Sequence, residues 1–155
     1  MLAGTLDPST DWFQSTISAY RKALRLLTGP LERRLGLLNR SLGLALQAAA
    51  ERGDDPELLE RAVETYRSAC LALNREQAPK EWGVLQARIG GLLYRLHMRT
   101  DKIELLKESL TAFQGALQVI ARAEEPFRWA DVMHNLSQSL QVYGDHIKSV
   151  EVLQL

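Results

Sequence analysis

Apolar residues fall at alternating steps of three and four along most of the chain, the spacing that places side chains on one face of an α-helix. Phe13, Ile17, Tyr20, Leu24 and Leu27 predict a first helix over residues 9–28, with Ser9 or Thr10 as its cap. Thr28-Gly29-Pro30 ends it, since glycine admits a left-handed residue and proline cannot continue the ladder. Leu31, Leu35, Leu38, Leu42, Leu46 and Ala49 predict a second helix over 30–52, closed by Gly53. A third, over 56–74, carries Leu59, Val63, Tyr66, Cys70 and Leu73, with Asp55 and Glu57 at its positive end. Pro79 opens a fourth over 79–98, with Trp82, Leu85, Ile89, Leu92, Leu93 and Leu96 on its apolar face.

Thr100 or Asp101 is placed to cap a fifth helix over 101–122, with Glu104 able to reach back. Its stripe is Ile103, Leu106, Leu110, Phe113, Leu117 and Ile120. Pro126 opens a sixth over 126–143, with Trp129, Met133, Leu136, Leu140 and Tyr143, and Gly144-Asp145 is expected to end it. Ile147, Val150 and Leu153 predict part of a seventh over 146–155. Gly90-Gly91 falls inside the fourth helix at a cost of about 1 kcal/mol per glycine relative to alanine, which the close approach of a neighbouring backbone would explain. No stretch sustains the period-two alternation of strands, so the class expected is all-α.

The pattern repeats. Pro79-Lys80-Glu81-Trp82 returns as Pro126-Phe127-Arg128-Trp129, 47 residues later. The same offset joins Ile89 to Leu136, Leu93 to Leu140, Tyr66 to Phe113 and Ala69 to Ala116. Self-similarity at a fixed period of roughly 20–50 residues marks a solenoid, whose units cannot bury their apolar faces alone. The first copy is degenerate: Leu35 stands where Trp82 would, and Tyr20 precedes Tyr66 by 46. Trp82 and Trp129 at one register are expected to be largely buried between successive pairs.

Tyr20-Arg21-Lys22-Ala23, Tyr66-Arg67-Ser68-Ala69 and Phe113-Gln114-Gly115-Ala116 resemble the aromatic-x-x-small signature of the second helix of a tetratricopeptide repeat. Leu42-Gly43-x-x-Leu46, Ile89-Gly90-x-x-Leu93 and Leu136-Ser137-x-x-Leu140 resemble the signature of its first helix, with leucine in place of the usual aromatic. Ala62 and Ser109 match the small residue that lets the pair close, and Pro79 and Pro126 the proline that begins the next unit. Pro126 to Leu136, read as Pro-x-x-Trp-Ala-x-x-x-x-Asn-Leu, is similar to long repeats common in bacterial members. The period departs from the family's 34 residues. The resemblance covers about residues 12–155 and implies one domain over 1–155: a right-handed superhelical stack of antiparallel helix pairs, six helices and a partial seventh.

Composition narrows the function. Apolar residues make up 46% and charged residues 25%, which argues for a packed core and against disorder. Zero net charge gives no bulk electrostatic case for nucleic acid. The charge is nonetheless uneven: residues 1–52 carry seven Lys/Arg against four Asp/Glu, and residues 101–155 five against eight. The lone Cys70 allows no internal disulfide, no apolar run is long enough to span a membrane, and residues 1–11 do not resemble a secretory signal, so a cytoplasmic setting is expected.

His97, His134 and His146 are the only histidines, and His134 with Asp131 makes no more than half of a metal site, so it reads as a groove residue. The carboxylate clusters read as solvated faces, and neither a phosphate loop nor a nucleophile elbow is present. No enzyme, metal or cofactor is expected.

The resemblance places the proline-initiated helices along a concave groove. Its expected lining is Arg40, Leu44 and Gln47 in the first copy, Ala87, Gly91, Tyr94 and Arg95 in the second, and His134, Gln138 and Gln141 in the third. Arg40, Arg88 and Asn135 stand near the places where family members grip a terminal carboxylate, but the full clamp is absent. The expected function is protein–protein interaction through a partner segment, acidic in character, with Tyr94, Arg95 and Arg40 as anchors. The rival readings are a scaffold that self-associates through the C-terminal end and a sensor arm of a larger chain. Neither membrane nor nucleic acid is an expected partner.

Overall fold

The computed structural model describes residue 18, residues 31–53 and residues 55–153, with the side chains of 150–153 excepted. It is all-helical, with five helices and no strand among the described residues. They are α1 (Leu31–Gly53), α2 (Pro56–Leu73), α3 (Pro79–Thr100), α4 (Ile103–Leu117) and α5 (Pro126–Leu153). The helix expected over 9–28 lies outside the described residues, Ser18 excepted. The chain divides into two compact units, residues 1–72 and 73–155.

In the first unit α1 and α2 are closed on each other by one ring. Gly43 is buried in α1, and a Cβ there would stand 2.5 Å from the ring of Tyr66. The Tyr66 hydroxyl donates to Gln47 Oε1 at 3.2 Å, one turn along. Leu59, Ala62, Val63, Tyr66, Ala69, Cys70 and Leu73 are all buried, so the stripe expected of this helix is its core face. Asp55 caps α2, its Oδ1 accepting from the backbone N–H of Glu57 at 2.9 Å, with Pro56 in the first turn. The stripe of α1 is less regular. Leu46, Ala45 and Ala50 are buried, whereas Leu31 and Leu35 are exposed.

The second unit repeats the device. A Cβ on Gly90 of α3 would stand 2.8 Å from the ring of Phe113 on α4, and the Ser109 hydroxyl donates to the Gly90 carbonyl at 2.7 Å. The glycine is therefore demanded by an aromatic ring rather than by a neighbouring backbone. Gly91 has nothing within 4 Å of its missing Cβ. Leu110, Phe113, Ala116 and Ile120 then meet Val132 and Leu136 of α5, with Trp129, Met133 and Ala87 packed against them.

Three expectations fail here. The cap foreseen at Thr100 or Asp101 is absent: α4 starts after Lys102 with no side-chain cap, because Asp101 is spent on ending α3. It takes the left-handed conformation at φ 53, which aspartate tolerates better than most residues, and its N–H returns to the His97 carbonyl at 2.7 Å. The fifth expected helix stops at Leu117 rather than 122. Its last turn tightens as Val119 N–H reaches Ala116 O, and Ile120 remains buried in the turn that follows.

The third failure is at Gly144-Asp145, where the sixth and seventh expected helices are one, α5. A single glycine weakens a helix by about 1 kcal/mol but does not stop it. Lys148 occupies the register of Asp101, and lysine resists the left-handed conformation that would be needed. Leu140, placed on the apolar face of that helix by its spacing, is 48% exposed, while Val132 and Ser139 are buried in its stead.

The glycine pair supplies a test. Gly90→Ala should destabilise by about 1–3 kcal/mol, because overpacking against Phe113 outweighs the gain in helix propensity. Gly91→Ala should stabilise by about 0.5–1 kcal/mol, since only the propensity changes. Denaturant midpoints read both, and equal effects of one sign would contradict the ring-on-glycine packing.

Candidate functional site

The expected groove residues occupy one face of each helix, in steps of four and three. Arg40, Leu44 and Gln47 are half-buried on α1. Gln47 is already engaged, accepting from Tyr66 and donating to Glu51 at 3.0 Å. Arg40 has its Nε buried without a hydrogen-bond partner among the described residues. Ala87, Gly91, Tyr94 and Arg95 are half-buried on α3, where Ala87 packs on the core of the second unit. His134, Gln138 and Gln141 are exposed on α5. The helices that carry the second and third sets, α3 and α5, are in contact. The α1 set belongs to the first unit. Amides, an imidazole, a guanidinium and a phenol can hydrogen-bond and stack against an extended chain.

His97 is not a groove residue. It is 5% exposed, and its Nδ1 is 3.0 Å from the Lys102 carbonyl, an arrangement in which the ring N–H donates and ties the end of α3 to the start of α4. Among the described residues no group of three or more His, Cys, Asp or Glu could hold a metal ion. No described helix is long and apolar enough to cross a membrane.

The tryptophans bring two further residues into view. Both indoles are half-buried. The Arg75 guanidinium lies over Trp82 at 5.2 Å from the ring centroid, and Arg122 lies over Trp129 at the same 5.2 Å. A Cβ on Gly115 would stand 3.2 Å from the Trp82 ring, so that indole is held between α4 and an arginine. The loop geometry repeats with it. Ala78 N–H reaches Asn74 O at 3.0 Å, and Glu125 N–H reaches Ala121 O at 2.9 Å. Arg75 and Arg122 were detectable in the sequence, since they too are 47 residues apart and each stands seven residues before its tryptophan.

Lys80 binds the loop that follows α4, its Nζ 2.9 Å from Glu124 Oε2. The hydrogen bond, then the opposite charge, raises the Lys80 pKa above its usual value and lowers that of Glu124. At the register of Lys80 on α5 stands Phe127, 86% exposed.

Comparison with family models, with curated proteins and with solved structures finds no match.

Two expectations follow from these contacts. Arg75→Ala and Arg122→Ala should each cost about 0.5–1 kcal/mol, the range for exposed cation–π pairs, and the two losses should be similar because the geometry is. Unequal losses in chemical denaturation would separate the two clamps. The Lys80–Glu124 pair should stabilise fully between the ordinary values of 4.5 and 10.5. Its contribution is lost as pH falls through the lowered Glu124 value or rises through the raised Lys80 value. The difference in melting temperature between wild type and Lys80→Ala, followed against pH, should close at both extremes and shrink with salt.

Proposed function

We propose that this chain is a protein-interaction module of the tetratricopeptide type, a right-handed stack of helix pairs that binds an extended partner segment along α1, α3 and α5 without catalysis. The observation that carries the reading is the repeat of one packing device. Tyr66 on Gly43 and Phe113 on Gly90 are 47 residues apart in both partners. A unit that repeats its internal contact presents its remaining face at a fixed period, and peptides recognised by such arrays lie across several periods. The face left over is polar and aromatic: Gln47, Tyr94 and Gln141 share one register, and Arg40, Ala87 and His134 another. Arg40 and Arg95 favour an acidic or carboxylate-bearing segment. The proposed setting is the cytoplasm.

The test is selection of binders from a displayed peptide library. Acidic sequences should be enriched. Tyr94→Ala combined with Arg95→Ala should weaken the selected peptide by about 2 kcal/mol, roughly thirtyfold, with the fold retained. Added salt should weaken wild-type binding further, since exposed charges are screened over about 8–10 Å. Glu64→Ala with Arg67→Ala, which removes an exposed ion pair on α2, should change little. The reverse ranking would move the binding surface to the α2 side.

A further inference from the structure

Extended two steps toward the start of each helix, the groove line changes character between α3 and α5. On α3 the added residues are Lys80 and Val84, and on α5 they are Phe127 and Asp131. α1 agrees with α3, with Arg33 and Leu37 at the same register. Two of the helices thus supply a cation followed by an aliphatic residue, whereas α5 supplies a ring followed by a carboxylate. Phe127 is 86% exposed, and Asp131 is exposed as well. Phe127, Asp131, His134 and Gln138 are separated by four, three and four residues, so the pair shares a face with the groove residues of its helix.

Neither group is used by another described residue. The chain twice sets an arginine over a ring, Arg75 on Trp82 and Arg122 on Trp129. No cation among the described residues lies over Phe127. The bases nearest to it in sequence are engaged elsewhere, Arg122 with Trp129 and Arg128 with Glu125. Asp145 lies on the same face, 14 residues after Asp131, and has Lys148 Nζ 3.8 Å from its Oδ1. Asp131 has no such base among the described residues. A lone exposed phenylalanine is ordinary on a protein surface. A ring with an unpaired carboxylate one turn further on is a place for a cation.

Residues four apart on a helix have Cβ atoms about 5–6 Å from each other. Over that span one planar guanidinium can lie on the ring and donate N–H groups to the carboxylate at the same time. An ammonium, a compact and strongly hydrated charge, serves the two less well. We propose that Phe127 and Asp131 bind an arginine side chain of the partner segment that lies along α5. The inference rests on the interaction reading above and adds to it a charge of the opposite sign. The segment is acidic where it meets Arg95 and basic where it meets the first turns of α5. An acid at the second place would face Asp131 and be repelled, so the pair also fixes the direction in which the segment lies.

Peptides selected from a displayed library on the full chain decide it. The enriched sequences should carry an arginine at a fixed distance from their acidic residues. Replacing that arginine by alanine should weaken binding about tenfold, the joint effect of an exposed cation–π contact and an exposed ion pair, and replacing it by lysine about threefold. Against a chain carrying Phe127→Ala and Asp131→Asn, the same replacements should change affinity by less than about twofold. Both side chains are exposed, so that variant should keep the wild-type melting temperature; should it lose its fold, Asp131→Asn alone replaces it. Enriched peptides without arginine, lysine binding as well as arginine, or a loss as large on the variant as on wild type would each overturn the proposal. Peptides weakened by Tyr94→Ala with Arg95→Ala but indifferent to Phe127→Ala with Asp131→Asn would keep the groove and remove the arginine site. A selection that yields no binder would remove both.

Discussion

The distance between the helices of a pair is set by an aromatic ring lying where a glycine has no side chain. Tyr66 on Gly43 and Phe113 on Gly90 each bring a large apolar surface within van der Waals reach of a helix backbone. The burial that results, both rings being at most 1% exposed, more than offsets a helical glycine, since a fully buried aromatic contributes roughly 1.5–3 kcal/mol against about 1 kcal/mol for the glycine. Everything else in a pair is sized to that separation. Ala62 and Ser109, four residues before the rings, are fully buried, and a longer side chain at either place would hold the helices apart. The hydroxyl of Tyr66 then needs a polar neighbour and finds Gln47, while Phe113 makes no such demand and the register of Gln47 is occupied by Tyr94.

A second constraint acts where one helix hands over to the next. The turns before α3 and α5 have different sequences, with Asn74 left-handed at φ 46 in one and Ala121 in the other. Asn74 uses its side chain, Oδ1 accepting from Glu76 N–H at 3.0 Å, a route closed to alanine. Both turns nonetheless place an arginine over the tryptophan one turn into the following helix. The guanidinium holds the outer face of a half-buried indole, and the stem covers apolar surface that would otherwise be wet. Fixing the entry of α3 and α5 in this way fixes which of their faces turn toward the core.

That core face was legible in the sequence for α2 and α3, whose stripes are buried nearly as spacing predicts. The period marks the recurrence of Gly43 with Gly90 and of Tyr66 with Phe113, but not that each ring lies on its glycine. Spacing is blind to neighbours, however. Leu140 has the period of a core residue and is exposed, because a hydrophobic position is buried only if something lies opposite it. Helix ends were the other weak point. Thr100-Asp101 followed by Glu104 reads as a capping box, yet Asp101 can serve either the end of one helix or the start of the next, and the left-handed ending wins. The groove residues could be assigned to faces but not to tasks: Gln47, offered as a contact for a partner, is hydrogen-bonded to Tyr66.

The contrast between Asp101 and Lys148 extends from a single residue to the exposed surface of α5. At the first, the chain leaves the helix, turns through Lys102 and starts the helix that covers the seam it has just made. At the second, lysine keeps right-handed geometry and α5 runs on to 28 residues. Ile147, at the register of Thr100, continues the line of Ser137, Leu140 and Gly144. A turn at Lys148 would have let a covering helix start at Val150, the counterpart of Ile103. Without it, the described part of α5 presents a seam of the same spacing that α4 fills on α3, with Leu140 and Ile147 as its apolar contacts.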